Sequence, residues 1–434
     1  MSLNSAALLN MSSMSSMSSM SSMSSMSSMS SMSSAPPTSV STEVIPAAAS
    51  GALILSRDGV VGRWSPPSIA PSQLNFNGLQ ELEYWEAATR VSAIQTEIFQ
   101  SIVYDIDPAS ETLALKDAGG GVITKVKRPT SEEFLHQLRL VFAYADLRMD
   151  RAAEILAQVG EIMSFVGQPL SLHPQRHRWT IEYLFAAVGA VIAIEKRVKV
   201  IFACRRPFEY SAQVQPMITT PAHSAFPSGH AFEAFAMAEV LGALVSHIDQ
   251  ATNDVGKQSR RYQMMAHAAR GSVNRTVAGV HFPLDSISGA VMGRALGQYL
   301  VRRSECGGSR LHTYEFKSPY NPADPPPCGE EKDFRLGEIE DLFRAAAHPA
   351  GEDVQPQQAG GATKYVFRSG PAWRPTQLPM LSWLWQKAKG EWPLQGIRPG
   401  PRPPYPPGPY GNANCGEHAQ HTQSQAAAQD GDVS

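Results

Sequence analysis

Phe226-Pro227-Ser228-Gly229-His230-Ala231 leads directly into Phe232 to Val245, an apolar run with helical spacing. Ser228 stands where an N-cap belongs, and Gly229 lets a ligand come close to the backbone N–H groups that a first helical turn leaves without partners. Such a helix start favours anions, and His230 places a titratable ring beside whatever binds there. Alone, the segment reads more readily as a capped helix with an incidental histidine. The stretches on either side decide its meaning.

Upstream lies Lys199-Val200-Ile201-Phe202-Ala203-Cys204-Arg205-Arg206-Pro207. Lys199 and Arg206 are two helical turns apart, which puts both cations on one face, and Pro207 ends the helix. Downstream lies Asn274-Arg275-Thr276-Val277-Ala278-Gly279-Val280-His281-Phe282-Pro283-Leu284-Asp285. His281 and Asp285 stand at i and i+4 around a helix start, so the carboxylate can accept from one ring nitrogen and leave the other free. That arrangement suits attack on phosphorus or ligation of a metal oxyanion.

Further out, the pattern is helical nearly throughout. Apolar residues at spacings of three and four predict helices over 78–104, 130–145, 150–166, 177–203, 228–249, 257–272 and 284–301, with one weak hairpin near Leu113 to Val126. The fold class expected is all-α, a helical bundle with disordered N- and C-terminal tails. Residues 11–34 are eight Met-Ser-Ser triplets, which cannot bury a core. The organisation expected is therefore a disordered N-terminus over 1–70, a helical catalytic domain over 71–318, a partly ordered C-terminal arm over 319–398 and a disordered Pro-rich tail over 399–434. Four tryptophans between Phe367 and Trp392 would dock that arm onto the core or onto a partner.

The chain has 434 residues, with 37 Lys+Arg against 39 Asp+Glu, a balance that gives no reason to expect nucleic acid. No uncharged run of 18 or more residues has the apolarity a membrane span needs, and no basic-then-apolar leader opens the chain. Four scattered cysteines favour a reducing compartment. A soluble, cytoplasmic protein is the expectation, with self-association into a homo-oligomer left open.

Taken together and in this order, the three segments resemble the signature of the type 2 phosphatidic acid phosphatase and vanadium haloperoxidase superfamily: Lys, six residues, Arg-Pro; Pro-Ser-Gly-His; Ser-Arg, five residues, His, three residues, Asp. Every position matches except Asn274, which stands where the family has Ser. The resemblance covers about residues 75–305 and implies a helical bundle around an oxyanion pocket. Second-order likenesses lean towards the soluble haloperoxidases: the long helical segment before Lys199, Tyr84-Trp85, Ala231 after His230, and His223 seven residues before His230. Lys196 stands where family members usually carry Trp or Arg.

The resemblance then implies a vanadate cofactor, with His281 as its metal ligand and Lys199, Arg206, Ser228, Gly229 and Arg275 holding its oxygens. His230 would act as acid and base, Lys199 would also be catalytic by polarising the peroxide, Asp285 would orient His281, and His223 would sit near the halide. The activity implied is oxidation of bromide or iodide by hydrogen peroxide to hypohalous acid, which halogenates a small organic substrate. The alternative implied is a soluble acid phosphatase in which His281 forms a phosphohistidine and no metal takes part. A non-catalytic scaffold carrying interaction tails is the third reading.

Overall fold

The computed structural model describes residues 47–393, apart from 64, 254–255, 306–309, 322, 328–330 and 345–364. The Met-Ser-Ser repeat and the Pro-rich tail lie outside the described residues. The described residues up to Trp85 form one unit and those from Glu86 another. In the first, helix α1 (Ala47–Val61) lies inside the stretch expected to lack structure, and Leu53, Ile54, Leu55, Val60 and Val61 on it are exposed.

The second unit contains helices α2 (Ala87–Gln100), α3 (Ser131–Ala145), α4 (Arg148–Gly160), α5 (Arg178–Phe202), α6 (Gly229–Thr252), α7 (Arg260–Val277), α8 (Pro283–Ser304), α9 (Leu336–Arg344) and α10 (Pro379–Lys389). Between α2 and α3 run β1 (Ile102–Asp107), β2 (Thr112–Asp117) and β3 (Val122–Lys127); β4 (Leu311–Phe316) follows α8 and β5 (Val366–Trp373) precedes α10. These strands form one mixed sheet in the order β1-β2-β3-β4-β5, antiparallel except for the parallel pair β3–β4.

That sheet corrects the all-α expectation. The weak hairpin near Leu113 to Val126 is its β2–β3 pair, while β1 sits in the stretch that helical spacing had extended to residue 104. Ile102-Val103-Tyr104 is β-branched and aromatic, which favours a pleated surface once β2 lies alongside. β4 gains its neighbours from far away in sequence: Thr124 of β3 pairs with Tyr314, and Phe367 of β5 with Glu315. No local period announces such a strand.

α6 is at the centre, packed against α5, α7 and α8, while α8 also carries β3 and β4 on another side. α6 and α8 approach closely because Gly289, Gly293 and Gly297 form a stripe on α8. A Cβ at Gly293 would lie 2.3 Å from the Phe232 carbonyl oxygen, and one at Gly289 2.5 Å from that of Ser228. α6 is long and apolar enough to cross a membrane, whereas no such run was expected from the sequence; most of it is buried inside the fold.

The C-terminal arm docks on the same chain. Glu391 accepts from the N–H groups of Trp179 and Thr180 at 2.9 and 2.8 Å, supplying partners at the start of α5. Trp392 stacks on His177 with centroids 4.3 Å apart, Trp385 packs on Tyr183, and the Trp373 indole donates to the Val122 carbonyl.

Candidate oxyanion-binding site

The ends of α5 and α7, the starts of α6 and α8 and the segment between α5 and α6 converge on the site. α5 runs past Lys196 and Lys199 and stops at Ala203, which is left-handed with φ 50°. Arg206 follows in extended backbone, Ser228 is the extended N-cap of α6, Arg275 lies in the last turn of α7, and His281 stands two residues before α8. The Ser228 N–H donates to the Asp285 carbonyl at 2.9 Å, which ties the start of α6 to the first turn of α8. Arg206, His223, Gly229, His230, Arg275 and His281 line one pocket.

Several donors at this site have no partner among the described residues. Arg275 is 1% exposed; its Nη2 donates to the Ile155 carbonyl and to Gln158 Oε1, but Nε and Nη1 have no partner. The Ser228 hydroxyl is fully buried and also lacks one. Leaving buried donors unpaired costs roughly 1–3 kcal/mol each, more for a charged group, so this arrangement points to an anion. Burial lowers the guanidinium pKa of Arg275 to about 10, and burial does the same to Arg206 against the pull of Asp285; both stay cationic at neutral pH.

His281 Nδ1 lies 3.0 Å from Asp285 Oδ2, which also accepts from the Phe282 N–H at 2.9 Å. Burial, then Arg206 and Lys199, push the His281 pKa well below its ordinary value, so the ring is neutral. Its Nδ1–H donates to Asp285 and its Nε2 keeps a lone pair. Burial pushes Asp285 up to about 7, opposed by the Phe282 N–H and the two cations. His230 Nε2 lies 3.1 Å from the Gln158 carbonyl oxygen, which can only accept, so the proton is on Nε2 and Nδ1 is the basic atom. Burial and Arg275 keep this ring neutral as well.

The family model described as PAP2 superfamily matches residues 179–305, a span that contains every one of these groups. Residues 179–305 form a PAP2 superfamily domain. No curated protein matches the chain. Among solved structures, a transmembrane PAP2-type phosphatidylglycerolphosphate phosphatase from Bacillus subtilis is similar at 15% identity, covering 53% of this chain and 94% of its own, with a TM-score of 0.25.

Within the PAP2 domain, Lys199 differs most from its sequence-based role. Its ammonium is buried and donates to the carbonyls of Ser224 at 3.2 Å and Ala225 at 2.9 Å and to that of Pro227. Lys199 thus holds the turn that presents Ser228 and Gly229, and the lysine lining the pocket is Lys196. His223 is in the pocket wall, with Nε2 3.3 Å from Lys196 Nζ; burial and the two lysines push its pKa down to about 3. Asn274 does not reach the pocket. It accepts from Arg151 and donates to Gln158 Oε1 at 2.9 Å, and so fixes the residue on which both Arg275 and His230 lean.

Sequence reasoning missed Gln158, Glu195 and Glu233. The two glutamates line the pocket and are buried. Glu195 is one turn before Lys199 and Glu233 one turn after Gly229, so helical spacing from residues already singled out was the available signal.

Proposed function

We propose that the PAP2 domain hydrolyses phosphomonoesters through a phosphohistidine. The observation that carries this reading is the set of buried, unpartnered donors, Ser228 Oγ with Arg275 Nε and Nη1, beside the Gly229 helix start and the free Nε2 of His281. A tetrahedral dianion satisfies them, and each group the reaction needs is on the chain.

His281 Nε2 attacks phosphorus as the ester P–O bond breaks; His230 Nδ1, which takes up a proton when the anionic substrate enters and its charge offsets that of Arg275, gives that proton to the departing alkoxide. Nδ1 then takes a proton from water, whose oxygen attacks phosphorus as the N–P bond breaks and releases inorganic phosphate. Arg206 and Arg275 hold the equatorial oxygens as charge develops on them. Asp285 steadies the ring that carries the phosphoryl group.

A second reading is vanadate-dependent oxidation of bromide or iodide by hydrogen peroxide, and the observation that favours it is His223 in the pocket wall. Vanadate has nearly the shape of phosphate, so the same unpartnered donors and His281 Nε2 fit it; when bound, it supplies the centre that activates peroxide. His230 would move a proton at Nδ1 as before. The choice is tested by assaying full-length protein, with orthovanadate and with chelator, for aryl phosphate hydrolysis and for halide oxidation. Phosphatase turnover inhibited by vanadate, with no halide oxidation, is expected. Vanadate-dependent halide oxidation with little hydrolysis would reverse the choice, and silence in both would leave a scaffold.

A further inference from the structure

We propose that Glu195 and Glu233 belong to the oxyanion site as a carboxyl pair sharing one proton, and that this proton is what lets a dianion settle there. The proposal rests on the anion-binding reading of the pocket and not on which reaction follows. Both side chains line the pocket and both are buried, Glu195 completely. Their carboxyl groups are within hydrogen-bonding reach of each other. Glu195 packs against the start of α6, where its Oε1 would lie only 2.6 Å from a Cβ at Gly229. Two carboxyls this close in a buried site cannot both be ionised without a large cost, so one proton stays between them.

The groups around the pair give the proton its purpose. Lys196 and Lys199 on α5 each place Nζ 3.4 Å from Glu195 Oε1. Arg206 and His223 face the pocket from the segments between α5 and α6, His230 from α6, Arg275 from α7 and His281, backed by Asp285, from the start of α8. With the proton in place, the four cations exceed the carboxylate charge enough to receive a dianion. Without it, an extra negative charge stands in the cavity that the substrate must enter. Burial, then the charge of Glu195, raises Glu233 to about 8, which keeps the pair protonated at neutral pH. Glu195 and Glu233 are thus positioning residues that set the charge of the pocket.

The test is calorimetric titration of the full-length protein with sulfate, a dianion throughout the range, between pH 6 and 9.5. Wild-type affinity should fall as the pair loses its proton; Lys199, lowered to about 8 chiefly by burial, and Asp285, raised to about 7 by burial, titrate over the same interval, so the pair is read from the difference between wild type and variants. Glu233→Gln keeps a neutral side chain at every pH, so the slope of log Kd against pH should drop by up to about one proton. Glu195→Gln leaves Glu233 alone beside two lysines, and the loss of sulfate binding should then begin at lower pH. Slopes equal to wild type in both variants would overturn the proposal, and a wild type that binds no sulfate at any pH would overturn it together with the site. An intact sulfate profile in a protein without phosphatase turnover would support the pair and sink only the reaction.

Discussion

His281 is a neutral imidazole because it is buried among cations, and Asp285 settles which nitrogen is left to react. Removing the ring removes the nucleophile, so His281→Ala should lower aryl phosphate turnover at least about 10³-fold, with melting temperature as the control for folding. Asp285→Asn keeps the shape but weakens the hold on the Nδ1 proton. It should cost about 10- to 100-fold in turnover and leave KM less changed, read from steady-state kinetics. Asn274 acts through Gln158, so Asn274→Ser should raise KM more than it lowers kcat, because Arg275 loses its alignment rather than its charge.

Among the elements, α8 bears the geometry of the site on its glycine stripe. Gly293→Ala puts a methyl into the Phe232 backbone of α6, and the start of α6 with Ser228 and Gly229 must shift. The expected result is a loss of about 1–3 kcal/mol in denaturant unfolding, together with weaker anion binding. α3 carries a pH dependence of its own. Glu133 near its start is buried beside Ser318, and burial raises its pKa to about 7. Its contribution is complete below the unfolded value and fades as pH rises through about 7, since ionising the buried acid is the costly step. Wild type should therefore lose on the order of 2–3 kcal/mol between pH 5 and 9 that Glu133→Gln keeps, measured as the difference in unfolding free energy.

Across the whole second unit, the C-terminal arm is structural. Trp385 is fully buried against α5, and Trp385→Ala should cost about 3–5 kcal/mol and lower the thermal midpoint, with reduced turnover only as the fold loosens. What the sequence by itself determined was local. Helical period placed α3, α5, α6 and α8 to within a few residues, because each buries an apolar face through contacts its own spacing encodes. The Ser228–His230 and Arg275–Asp285 segments were legible because helix starts and fixed spacings aim side chains predictably, whereas α5 stops at Ala203, short of Arg206, so the two-turn spacing from Lys199 does not put both cations on one helix face. Tertiary structure decided the rest. β4 becomes a strand only when β3, some 190 residues away in sequence, offers its edge, and the Glu391 carboxylate finds the start of α5 across 211 residues. The same holds within the pocket: Lys199 reads as an anion ligand by type, yet folding surrounds it with three carbonyls, and it brings Glu195 against Glu233, a pair whose proton exists only because two distant carboxyls are buried together.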